Sequence, residues 1–163
     1  MGQVSHSIDS LAFLSKCGKF RVIVRMFTLG KSTLINIITG LLKPTHGKVF
    51  ISGLDVEVDS SSVQQITGVC PQHDLLWTDL TAREHIYLTA AFKGIEAGKP
   101  LELAVKKMLT KMNLYDRADS CVSDFSGGMQ RRLSVAMSAV GEIEIIFLDE
   151  PSTGKYNFVN VFF

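Results

Sequence analysis

Two neighbouring segments constrain the fold more than any other part of the chain. The first is residues 124–132, Asp-Phe-Ser-Gly-Gly-Met-Gln-Arg-Arg. The second is the apolar run 145–148, which ends in Asp149, Glu150 and Pro151. Ser126 can cap a helix running to about Ala139. Gly127 and Gly128 at its start let backbone amides approach a phosphate closely. The alternative is a glycine-rich turn with a capping serine. Arg131 and Arg132 then read as the solvated face of that helix. Ile143 and residues 145–148 form a continuous apolar strand, as in a parallel sheet covered on both faces. Carboxylates at the carboxyl end of such a strand stand where open α/β sheets bind ligands. Asp149 and Glu150 also suit a plain acidic turn before Pro151.

Far upstream, Gly30, Lys31, Ser32 and Thr33 separate an apolar strand from a helix. The strand comprises residues 22–24 and 26–29, interrupted by Arg25. The helix is expected from Lys31 to Leu42, with Lys43, Pro44, His46 and Gly47 ending it. A phosphate-binding loop needs this strand-to-helix context. Free amides and the positive dipole end of the helix attract phosphate. Lys31 would reach the terminal phosphates, and the Ser32 hydroxyl would serve magnesium. The complete pattern requires another glycine where Arg25 stands, and small residues where Thr28 and Leu29 stand, so that successive amides can face the phosphates. In a second alignment residues 26–29 end the strand, and the loop is about six residues short of the full pattern. On either alignment the cradle is incomplete, and weak Mg-ATP binding is expected.

Between these landmarks, residues 48–52 read as a short strand turned by Gly53. A helix over 61–66 follows, capped by Ser60, and then a strand over 67–70 ended by Pro71. Thr81 and Glu84 form a capping box that opens a helix containing Ile86, Leu88, Ala90, Ala91 and Phe92. Gly94, Gly98, Lys99 and Pro100 separate it from a second helix over 101–113. There Leu101, Val105, Met108, Leu109 and Met112 form an apolar stripe at helical spacing, read as core. Strand–helix alternation around an all-helical stretch gives an α/β core with a helical subdomain. There is no internal repeat.

The 163 residues carry a formal net charge of +1, with 46% hydrophobic and 20% charged residues. That balance suits one packed domain or part of one, and gives no electrostatic case for a nucleic-acid partner. Cys17, Cys70 and Cys121 fit neither a zinc site nor a disulfide framework, so a reducing compartment is expected. No apolar run approaches the roughly 18–20 residues needed to span a bilayer. Residues 11–14 are too short for the apolar core of a signal peptide. A membrane anchor would have to come from other polypeptide.

Taken together, the Gly30–Thr33 element, the stretch 68–74 around Gln72, the Ser126–Gln130 element and the Asp149–Glu150 pair resemble the nucleotide-binding domain of an ATP-binding cassette (ABC) protein. Residues 75–81 resemble the A subfamily of ABC transporters. The resemblance covers about residues 26–154. It implies a P-loop NTPase (RecA-like) parallel-sheet core with a helical subdomain insert, the C-terminal part missing. Residues 22–75 and 142–154 would form the core and 76–141 the helical subdomain with the signature motif, while 1–21 and 155–163 are unmatched. The cofactors implied are ATP and Mg2+.

By the same resemblance, Gly30, Lys31, Ser32 and Thr33 bind nucleotide, and Ser32, Gln72 and Asp149 serve magnesium. Gln72 also touches the attacking water, which Glu150 orients or deprotonates. Ser126, Gly127, Gly128 and Gln130 contact the ATP held by a second nucleotide-binding domain. Taken alone, Gln72 reads equally as a polar residue in a turn. The other implied partners are ABC transmembrane domains, which place the chain on the cytoplasmic face of a membrane. The function implied is ATP-driven transmembrane transport, of lipids in this subfamily. No histidine follows the Asp149–Glu150 strand to take the family's phosphate-sensing role, and Phe13 and Phe20 fit the adenine-stacking position only by residue type. Residues 155–163 do not continue the family pattern, and with an exposed sheet edge they make poor solubility expected. Two alternatives stay open. One is an inactive, truncated cassette or partial gene product. The other is a soluble ABC ATPase outside transport.

Overall fold

In a computed structural model of the chain, residues 14–17, 20–25 and 31–149 are described. The chain forms β1 (Leu14–Cys17), β2 (Phe20–Arg25) and α1 (Lys31–Ile38), then β3 (Phe50–Ile51), β4 (Leu54–Asp55) and α2 (Ser60–Ile66). It continues with β5 (Thr67–Cys70), α3 (Ala82–Phe92), α4 (Lys99–Lys111), α5 (Gly127–Ser138) and β6 (Ile145–Asp149). Four strands make one sheet in the order β1-β2-β6-β5, and β3 and β4 form a separate hairpin. β6 runs parallel to both neighbours, while β1 pairs antiparallel with β2. This is the α/β architecture expected, with α3, α4 and α5 inserted between β5 and β6.

Strand β6 shows why its sequence is apolar without alternation. Successive side chains of a strand point to opposite faces. Ile145 and Phe147 join Ile38, Ile51, Val56 and Val63 in one buried cluster. Ile146 and Leu148 join Cys70 and the helical insert in the other. Both faces are covered, so every position must be apolar.

The insert packs as its periodicity requires. Val105, Leu109 and Met112 of the α4 stripe are buried, and Leu101 and Met108 pack against them. At the start of α3 the Thr81 hydroxyl accepts from the Glu84 amide at 3.2 Å, and Glu84 accepts from the Thr81 amide at 2.7 Å. The Thr81 backbone bond, and after it the Thr81 hydroxyl bond, hold the Glu84 carboxyl below its ordinary range. A depressed carboxylate stabilises the fold above its unfolded-state range, and that contribution is lost as pH falls through the folded value. Thr81→Ala is therefore expected to cost about 1 kcal/mol. Because the larger cause, the Thr81 backbone bond, survives in this variant, the acid limb of the stability–pH profile measured by urea denaturation should flatten only in part.

Several local expectations are corrected. Helix α1 stops at Ile38, short of Leu42. Gly40 takes φ +74°, its amide donates to the Ile37 carbonyl, and the Leu41 amide donates to the Asn36 carbonyl. That is a Schellman ending set by Gly40, upstream of Pro44. The strand expected over 48–52 shrinks to Phe50–Ile51, because Ser52 and Gly53 both adopt positive φ and turn a tight hairpin. Ser60 lies inside α2. The N-cap position is Asp59, whose carboxylate instead accepts from the Asp55 amide at 3.0 Å. Helix α4 begins at Lys99, with Pro100 in its first turn, where its missing N–H is tolerated. Phe92 of α3 is exposed. The strand assigned to 26–29 lies outside the described residues, as do Phe13 and the tail 155–163.

Candidate functional site

The parallel register aligns the strand ends. Arg25 pairs with Asp149, and Cys70 pairs with Leu148. The carboxyl ends of β2, β6 and β5 therefore lie side by side, which is the edge where open α/β sheets bind ligands. Gln72 follows β5 by two residues and is exposed, and Asp149 ends β6. Helix α1 opens with Lys31, Ser32 and Thr33, of which Thr33 is exposed. Gly30 and Glu150, and the side chains of Lys31, Ser32 and Asp149, lie outside the described residues. A hydroxyl, an amide oxygen and a carboxylate are hard oxygen donors suited to magnesium. A helix start such as the first turn of α1, where Thr33 is exposed, suits phosphate. The donor set fits Mg-ATP.

Helix α5 begins as its sequence predicts. Ser126 is the N-cap, and its hydroxyl accepts from the Met129 amide at 3.3 Å. Ser126 and Gly127 are exposed, and a side chain added at Gly127 would meet nothing. This open helix start leaves room for an anion. Gln130 behaves differently. Its side-chain amide turns inward and donates to the Val122 and Phe125 carbonyls at 3.4 Å each, steadying the loop that leads into Ser126.

Arg131 corrects the solvated-face reading, since only 6% of it is exposed. Its Nη1 donates to the Pro71 carbonyl at 2.6 Å, to the Gln72 carbonyl at 3.5 Å and to the Asp74 carboxylate at 3.0 Å. In the sequence, Asp74 and His85 carry no individual role, and Arg131 reads only as solvated. A signal for Arg131 was available: it lies four residues before buried Val135, on the inward face of α5. Arg132 is half-buried.

His85 is fully buried and uses both ring nitrogens. The Trp77 amide donates to Nε2 at 3.0 Å, and Nδ1–H donates to the Thr81 carbonyl at 2.8 Å. The tautomer is assigned from these partners. Trp77 also lies 5.6 Å from the His85 ring, centroid to centroid. Residues 71–77 are thus held by α5 at one end and by α3 at the other. Cys70 beneath them is inert, because burial pushes its thiol up to about 11. Among the described residues no helix is long and apolar enough to cross a membrane.

A mainly parallel sheet with an all-helical insert between β5 and β6 is the architecture of a P-loop NTPase fold. The family model described as ABC transporter matches residues 15–153, and the chain belongs to that family. ABC transporter A family member 10 of Arabidopsis thaliana is 48% identical over 127 residues, covering 77% of this chain and 14% of the relative. ABC transporter A family member 1 of Dictyostelium discoideum is 46% identical over 125 residues, with the same two coverages. The chain therefore spans about one seventh of these relatives' length. A solved structure titled "Structure of ATP binding subunit of ABC transporter" superimposes with a TM-score of 0.69 at 26% identity. That match covers 86% of this chain and 58% of the other.

Proposed function

We propose that this chain is a nucleotide-binding part of an A-subfamily ABC transporter, which binds Mg-ATP and couples its binding and hydrolysis to moving a lipid across a membrane. The observation that carries this reading is the register that sets Arg25, Cys70 and Asp149 at one sheet edge. In this reading Gln72, Asp149 and the start of α1 converge on one ligand. In this reading residues 22–75 and 142–154 form the nucleotide core, and 76–141 form the helical subdomain.

Lys31 neutralises the terminal phosphates, and Gly30, Ser32 and Thr33 complete the cradle. Ser32, Gln72 and Asp149 hold magnesium, which when bound supplies charge neutralisation as the terminal phosphoryl group transfers. Glu150 orients the attacking water and takes its proton, and Gln72 holds that water in line. The products are ADP and phosphate. Ser126, Gly127 and Gly128 present amides to ATP held by a second nucleotide-binding domain, with Gln130 ordering the approach. Leu75 and Trp77, exposed just after Gln72, offer transmembrane domains an apolar surface on the cytoplasmic side of the membrane. Beside Leu75 opens a cleft of about 470 Å³, lined also by Pro71 and Met137.

A second reading is favoured by Arg25. It extends β2 to the position where the loop pattern calls for glycine, and strand backbone there does not curl as a glycine loop does to aim successive amides at phosphate. In that reading the chain acts through Ser126–Gln130 on a partner's nucleotide and turns over none itself. Isothermal titration of the full chain with Mg-ATP tests the first reading. Binding weaker than micromolar is expected, and it should disappear in Lys31→Ala. Binding unchanged by Lys31→Ala would overturn the reading.

A further inference from the structure

We propose that Arg131 is a positioning residue that ties the Gln72 turn to the signature helix, so that movement at the start of α5 is passed to the magnesium and water ligand. This rests on the functional reading above, because it takes Gln72 as that ligand.

The argument begins with what holds a buried guanidinium. Removing such a charge from water is costly unless it is paired and hydrogen-bonded. Arg131 is buried on the helix that contributes Leu133 and Val135 to the apolar cluster containing Cys70 and Ile146. Three acceptors that compensate it, the Pro71 and Gln72 carbonyls and the Asp74 carboxylate, belong to one turn, residues 71–74. They come from a segment 57 to 60 residues away along the chain. Two of the three bonds go to backbone carbonyls, those of Pro71 and Gln72, so they fix the path of the turn itself.

The position of Arg131 on α5 gives the bond a direction. Ser126 caps the helix and Arg131 stands in its second turn. A rigid helix carries displacement over that distance without loss. If an anion at Ser126 and Gly127 shifts or rotates α5, the guanidinium must carry the turn with it or break its bonds to Pro71, Gln72 and Asp74. Charge-assisted bonds are strong enough to favour the first outcome. Two sites that look separate in sequence, the phosphate-facing helix start and Gln72, are mechanically joined by one side chain.

The test uses the full chain with Arg131→Met, which keeps volume and removes the donors, and Arg131→Lys, which keeps the charge but not the fork. Asp74→Asn serves as a milder third variant should Arg131→Met fail to fold. The first readout is amide hydrogen exchange without nucleotide. Exchange at residues 72–76 is expected to rise roughly tenfold in Arg131→Met, with amides around Val105 unchanged. The second readout is the gain in ATP affinity from Mg2+ over EDTA. It is expected to fall roughly tenfold, as for other residues that orient a metal ligand from behind. Arg131→Lys should fall between wild type and Arg131→Met. In a Gln72→Ala background, Arg131→Met should add nothing further.

Three results overturn the proposal: unchanged exchange in the turn, uniform acceleration across α3–α5, or full additivity with Gln72→Ala. If instead Lys31→Ala binds ATP as wild type does, the functional reading fails, and the exchange arm shows separately whether Arg131 holds the turn.

Discussion

Gly68→Ala is expected to lower stability by at least about 3 kcal/mol, the upper part of the overpacking range. In a chain of this size that is a fall in melting temperature of roughly 10 °C. Gly68 lies in β5 directly beneath the C-terminal turn of α5. A Cβ built there would collide with the Ser138 carbonyl oxygen and crowd the Ser138 carbonyl carbon at 2.9 Å, with Ile143 Cγ2 at 3.6 Å. Two of these three contacts are backbone, so no side-chain rotation relieves them. The strand or the helix must move, and α5 cannot leave β5 without opening the cluster that contains Cys70, Val135, Ala139 and Ile146. Total stability of a domain is only about 5–15 kcal/mol, so the effect is a large share of it. Urea denaturation should show a lower midpoint with an unchanged slope. A loss below about 1 kcal/mol would mean that α5 can lift off β5 at little cost, outside the usual overpacking range.

His85→Ala should cost a similar amount, about 3 kcal/mol, by a different mechanism. A fully buried ring is deleted, which leaves a cavity. The Trp77 amide loses its acceptor, and an unsatisfied buried group costs about 1–3 kcal/mol. The Thr81 carbonyl keeps the His85 backbone amide at 3.1 Å, so α3 should stay intact. His85→Phe separates the two contributions, because it restores most of the volume and neither hydrogen bond. It is expected to cost about 1–3 kcal/mol, close to the hydrogen-bond share alone. Trp77 is the only tryptophan and rests against the His85 ring. Its emission therefore reports directly on whether residues 71–77 have come loose. A stable His85→Ala variant with unchanged Trp77 emission would show that the turn is held from α5 alone.

These two residues mark the boundary between what was legible in the chain and what was not. The capping box at Thr81 and Glu84, the Ser126 cap, the strand 67–70 and the stripe of α4 could be read directly. Each is a contact or period within a few residues, where local chemistry decides the outcome. Glycine was legible at Ser126-Gly-Gly because a helix start explains it. At Gly68 nothing nearby in sequence explains it, since the obstructing carbonyl belongs to Ser138. The early end of α1 was legible in principle, as Gly40 offers a helix-ending residue ahead of Pro44. The proline was the more conspicuous stop.

The α/β class, the helical insert, the family resemblance and the residue types that a magnesium–nucleotide site requires can all be read from the chain alone. Those depend on hydrophobic period, on caps and on short motifs, all of them local. Folding in three dimensions turns Arg131 inward and meets its charge with the Gln72 turn. It also makes His85 clamp Trp77, turns Gln130 back on its own loop, and ends β2, β6 and β5 at one edge. A charge or a ring nitrogen is buried only where partners from distant segments compensate it. No local pattern states which distant segment that will be.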